Sequence, residues 1–234
     1  MTPVMRAAQQ PIVQIYTMQS PHEALACIDA GAQHVGVTPS ARRLPGEIDL
    51  NTAQAIFSTI QDRAVKVALS VETELDAIAD VMRVLNPDVV HVCPPTGTFT
   101  PHDITRLRAM LHPHARIMHA VSVADHTAVD EALAFAPVVD YLILDTSTPT
   151  IAGIGASGKT HDWNISREIV QRVSVPIVLA GGLSPENVAD AIRAVRPFGV
   201  DSLTHTNRML EDRRFVKDID KVRAFVQAAR GAEA

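Results

Sequence analysis

The chain has 234 residues, 47% of them apolar and 20% charged, an ordinary globular balance with length enough for a large core. A formal charge of −5 offers no basic field to nucleic acid, and 4% aromatic content argues against a stacking surface for single strands. Only Cys27 and Cys93 are present, far apart, so a reducing cytoplasmic setting is expected, and no apolar run nears the roughly 18 residues that span a bilayer.

Residues 1–10 carry no signal-peptide core and read as a loose leader before one domain over 11–234. The first strand is expected at 12–16. Ser20 followed by Pro21 is a cap-then-proline start for a helix over 21–30. Strands at 34–38 and 64–71 follow. A helix over 73–85 carries Leu75, Ile78, Ala79, Met82 and Leu85 on one face. Further strands are expected at 89–93, 116–121, 141–145 and 175–180. Ser184 and Pro185 open a helix over 185–195, a strand follows at 199–204, and a last helix covers 215–229. Eight strands roughly 20 to 35 residues apart are the spacing of βα units. They predict an α/β fold, a single (β/α)8 TIM barrel. An open doubly wound sheet would place a G-x-G-x-x-G turn near the first strand, and none is there.

In such a barrel the active site lies at the C-terminal strand ends. Asp145 ends the apolar run from Tyr141, where burial resists ionisation and suits general acid or base work. Gly181 and Gly182 follow strand seven and let backbone N–H groups approach an anion. The loop 155–163 adds Gly158 and Lys159, which can reach that anion. Its glycines lack the spacing of a nucleotide-binding P-loop. His91, Cys93 and His119 end strands four and five. With Asp145 they form at most a weak metal candidate, because no recurring zinc spacing is present. His22, His102, His112, His114 and His126 read as surface residues.

The second half resembles the phosphoribosylanthranilate isomerase family. The resemblance is carried by Leu144-Asp145, by 158–163, by the run 178–188 that holds Gly181-Gly182-Leu183-Ser184, and by 191–201 ending in Asp201. The first half is in register through Gln14-Ile15-Tyr16-Thr17, Pro21-His22-Glu23 and Ser40-Ala41-Arg42. The resemblance implies an Amadori aldose–ketose isomerisation of a phosphoribosylated aromatic amine in tryptophan biosynthesis, without a cofactor or metal. It makes Asp145 the general acid at the sugar ring oxygen. It makes Arg42 (or Arg43) the anchor of the aryl carboxylate and places the phosphate at Gly158, Gly181, Gly182, Thr204 and His205.

Three departures accompany it. The family's base cysteine on strand one is replaced by Tyr16, a phenol with an ordinary pKa near 10. His205 stands where a small turn glycine is expected, and the strand-four end reads His91-Val92-Cys93-Pro94. Catalysis would then fall to Asp145 with Tyr16, His91 or His119, and substrate contacts to Arg42, Cys93, His119 and Lys159. A related phosphosugar is an alternative substrate. A non-catalytic protein that binds a phosphometabolite or a protein partner is the alternative function. The expected partner is a small phosphorylated substrate, with no nucleic acid or membrane, on a monomer or homodimer.

Overall fold

The computed structural model describes residues 10–147, 153–155, 158–211 and 214–232. Nearly all of the expected leader lies outside them. Eight parallel strands close into a barrel: β1 (Ile12–Ile15), β2 (His34–Val37), β3 (Val65–Ser70), β4 (Val89–Val92), β5 (Arg116–Ser122), β6 (Tyr141–Asp145), β7 (Ile177–Leu179) and β8 (Gly199–Ser202). Each falls within one or two residues of its apolar run. The helices are α1 (Pro21–Asp29), α2 (Leu50–Ile60), α3 (Leu75–Leu85), α4 (Pro101–Met110), α5 (Thr127–Phe135), α6 (Trp163–Arg172), α7 (Val188–Val195) and α8 (Ile219–Gly231). None is long and apolar enough to cross a membrane.

The strands read as continuous apolar runs because both faces are buried. Alternate side chains go to two separate cores. Tyr16, Val67, Val89, Cys93, Met118, Ala120, Ile143 and Val178 fill the barrel. The opposite parity, including Val35, Val90, Ile117 and Leu142, packs under the helices with Phe225 and Ile78.

Helix starts follow local chemistry. Ser20 Oγ accepts the Glu23 N–H at 3.2 Å, with Pro21 in the first turn, as expected. Thr100 and Asp103 cap each other reciprocally at α4. Two expected starts move. Ser184 makes a turn to Glu186 N–H, and α7 begins only after Asn187. Residues 215–217 are not helical. They form strand β10 (Phe215–Lys217), antiparallel to β9 (Asn207–Met209), and α8 starts after the Asp218 cap. The β-branched and aromatic content of Phe215-Val216-Lys217 explains the strand.

One contact fixes the top of the barrel. A Cβ at Gly36 would lie 2.1 Å from Tyr16 Cε1, so β2 leaves room for that ring only as glycine. Gly36→Ala is therefore expected to destabilise the fold by about 1–3 kcal/mol through overpacking. The loss should largely vanish in a Tyr16→Cys background. Urea unfolding of the four proteins in this cycle checks it; independent, additive losses would refute the contact's importance.

Candidate active site

Two cavities open at the C-terminal strand ends. The first spans about 540 Å³ with its opening to solvent included and is walled by Leu44, Pro45, Leu69, Val71 and Ile154, with Tyr16, His91 and Cys93 among its other lining residues. The second, about 280 Å³, is lined by Gly158, Gly181, Gly182, Ser202, Thr204 and His205. Asp145, Asp201 and Leu203 line both. An apolar cavity and a glycine-rich cavity therefore meet at two carboxyl groups.

Asp145 ends β6. One of its oxygens accepts the Thr146 N–H at 2.6 Å. The loop after β6 lies on the other, since a Cβ at Gly155 would fall 2.3 Å from Oδ2. Burial raises Asp145 to about 7, against the smaller opposing pull of the Thr146 N–H. Asp201 was not singled out by sequence. Leu144 pairs with Leu179 and Leu179 with Val200, so Asp145 and Asp201 lie level on alternate strands. Alternate strands share a side-chain layer of a barrel interior. Burial first, then the charge of Asp145, raises Asp201 to about 8. A carboxylate inside the inward parity of an otherwise small, apolar strand was the signal available.

The remaining chemistry is subdued. The Tyr16 hydroxyl lies 3.1 Å from His91 Nδ1. Burial, then the charges of Asp201 and Cys93, push the phenol well above its ordinary pKa. Burial lowers His91 to about 3. Cys93 donates its thiol to the Ile154 carbonyl at 2.9 Å and is pushed up to about 12, chiefly by burial. Neither Tyr16 nor His91 is thus poised as the neutral-pH base expected of it.

Three expected substrate contacts are placed elsewhere. His119 has the outward parity of β5, because Met118 and Ala120 point inward. Its ring stacks on Phe135 with centroids 3.9 Å apart, behind the barrel wall. Arg42 is exposed and paired with Glu72 at 2.5 Å, and it lines neither cavity. Lys159 is exposed and also lines neither.

The expected phosphate residues do come together. A Cβ at Gly182, whose φ is +62°, would meet the backbone of 158–160 within 2.9 Å, so the loop after β6 packs directly on the Gly-Gly turn. His205 Nε2 lies 3.1 Å from the Gly158 carbonyl and closes the second cavity. His161 bridges Ser166 Oγ at 2.7 Å and Thr146 Oγ1 at 3.2 Å, fixing the loop to α6 and β6.

Lys217 is a second residue that sequence reading passed over, hidden inside the expected helix. It is buried, and its Nζ donates to Tyr16 O and, at 2.6 Å, to Asn207 Oδ1. It is lowered to about 8 by burial, against the neighbouring charges of Cys27, Glu23 and Asp201.

The raised Asp201 links stability to pH. The folded state keeps a proton that the unfolded carboxyl releases above about pH 4. Its contribution is therefore whole below that pH and drains away as pH climbs toward 8. Asp201→Asn should raise the melting temperature relative to the parent at pH 7.5 and leave no such gain at pH 4. Thermal unfolding by circular dichroism decides; the same offset at both pH values would contradict it.

A family model described as N-(5'phosphoribosyl)anthranilate (PRA) isomerase matches residues 13–228. The N-(5'-phosphoribosyl)anthranilate isomerase of Haloferax volcanii is 37% identical over 210 residues, covering 89% of this chain and 88% of that one. Its counterpart from Methanocella arvoryzae is 32% identical, covering 93% and 97%. The crystal structure of the Thermotoga maritima enzyme superposes with a TM-score of 0.77 at 27% identity, covering 94% of this chain and 99% of that one.

Proposed function

The chain belongs to the phosphoribosylanthranilate isomerase family, and on that premise we propose that it isomerises a phosphoribosylated aromatic amine from aldose to ketose, with Asp145 as general acid. The observation that carries this reading is the junction of the two cavities at Asp145. Such a substrate has the same three parts in the same order. Its aryl ring matches the apolar cavity in character, and its phosphate matches the glycine-rich one. The ribose between them then lies against the carboxyl. A pKa of about 7 lets Asp145 both hold and release a proton near neutral pH, the condition for efficient acid catalysis.

The phosphate is received without a cationic side chain among the described lining residues of the second cavity. Backbone N–H groups of the Gly181-Gly182 turn, with the Thr204 hydroxyl, supply the donors, and His205 closes the cavity against the Gly158 carbonyl. Arg42 serves the aryl carboxylate only by leaving Glu72. That pair is about half exposed on the arginine side, and surface pairs are worth about 0–1 kcal/mol, so the exchange costs little. Arg42→Ala should accordingly raise KM and leave kcat nearly unchanged, the signature of lost uniform binding; a loss confined to kcat would rule out that role.

The direct test is conversion of phosphoribosylanthranilate, followed by loss of its fluorescence. Asp145→Asn should lower kcat by about 10²–10⁴-fold. A folded protein that fails to convert this substrate would reject the activity and leave a related phosphosugar substrate or the non-catalytic binding role.

A further inference from the structure

The reaction proposed above needs a base, and the strand-one position where a thiol would stand holds Tyr16. We propose that Asp201 is the general base, taking the C2 proton across the substrate from Asp145. The inference rests on the proposed isomerisation and adds a residue to it.

Geometry makes the selection. Among the described residues, five titratable side chains line the apolar cavity: Tyr16, His91, Cys93, Asp145 and Asp201. The Tyr16 hydroxyl is engaged with His91 Nδ1, and the Cys93 thiol with the Ile154 carbonyl. Asp145 is assigned to the ring oxygen. Asp201 Oδ1 is buried with no hydrogen-bond partner, a state shared in this cavity by His91 Nε2, but burial lowers that imidazole to about 3 and makes it too weak a base. An unpaired buried acceptor is costly in a resting fold, and such atoms recur where a reaction uses them. Asp201 also lines both cavities, at the level of Asp145 and two strands away. A ribose held by its phosphate in one cavity and its aryl group in the other lies between the two carboxyls.

The electrostatics allow this division of roles: burial holds both carboxyls near neutrality, so the pair shares a proton that either group can carry, and the position of the substrate sets which one donates it. Gln14 on β1 faces Asp201 in register and lowers its pKa, although no hydrogen bond of good geometry joins the two, and Lys217 on β10 acts in the same direction. Both favour the carboxylate form.

The protons balance. Asp145 protonates the ring oxygen as the C1–O bond breaks, leaving an iminium at C1 and a carboxylate. Asp201 removes the C2 proton; the C–H electrons form the C1=C2 bond, and the iminium electrons return to nitrogen. Asp201 then returns its proton to C1 while the Asp145 carboxylate takes the proton of the 2-hydroxyl. The ketone forms, and both carboxyls regain their starting states.

The experiment compares kcat and KM of the parent, Asp201→Asn, Asp201→Glu and Tyr16→Phe on phosphoribosylanthranilate and on its C2-deuterated form. Asp201→Asn should lower kcat by about 10²–10⁴-fold with KM changed by less than about threefold. Its deuterium isotope effect on kcat should exceed the parent's, because proton removal becomes slower. Asp201→Glu should recover part of the loss, and Tyr16→Phe should lose less than Asp201→Asn. Melting curves confirm that each variant is folded. Asp201→Asn retaining more than about a tenth of kcat, or losing only KM, would overturn the inference and leave the isomerisation standing. A folded parent with no turnover overturns both.

Discussion

Two carboxyl groups share one layer of an aliphatic barrel, and much of the site follows from that. Neither Asp145 nor Asp201 has a lysine or arginine paired with it by a hydrogen bond or short ion pair among the described contacts, and each is pushed toward neutrality by burial. Among the described residues the compensating cation that acts on Asp201 is Lys217, and it acts at a distance, because its ammonium is committed to Tyr16 O and Asn207 Oδ1. That arrangement lowers the cost of ionising Asp201 without forming a salt bridge that would lock it ionised. The β9–β10 ribbon is thus part of the site's electrostatics: it holds Lys217 beneath the strand-one end, anchored by the Lys217 N–H to Glu23 Oε1 at 2.5 Å.

Tyr16 belongs to a second, coupled unit. Its ring occupies space that a side chain at position 36 would fill, and its hydroxyl meets His91 from the opposite wall. A phenol buried without a partner would be costly, as would a buried imidazole. Paired with each other, both stay neutral, which matches the upward displacement of one and the downward displacement of the other. The departures at strands one and four are therefore one change made in two places. They brace the floor of the apolar cavity, and burial leaves neither group suited to proton transfer near neutral pH.

The barrel was legible because parallel strands are apolar on both faces and so stand out as short runs. Asp145 was legible because it breaks such a run at its end. The Gly181-Gly182 turn was legible by its place after strand seven. What escaped depended on parity or on tertiary context. His119 looked equivalent to His91, but strand β5 turns it outward onto Phe135. Asp201 sits inside a short strand rather than at its tip, so the rule of inspecting strand ends passed over it. Lys217 fell within a stretch whose helical periodicity was real from 219 onward, while Phe215 and Val216 pair with Arg208 and Met209. Arg42 carries the right charge near the right loop, yet nothing in the sequence discloses Glu72 thirty residues away.

The shared carboxyl layer also explains why the two cavities adjoin instead of standing apart. In the proposed reaction a phosphate enters the cavity that Asp145 and Asp201 themselves line. Its negative charge raises both carboxyl pKa values further, so a proton is retained on the pair while substrate binds. The iminium that follows ring opening reverses the field, placing a positive charge beside both groups and favouring their ionised forms. Proton donation by one and proton capture by the other then fall at different points of a single electrostatic cycle. A phenol such as Tyr16, already far above neutrality and bonded to a neutral imidazole, would need a much larger swing to take part. The substrate's own charges thus set the timing, and the layer that holds the carboxyls level is what lets both respond to them.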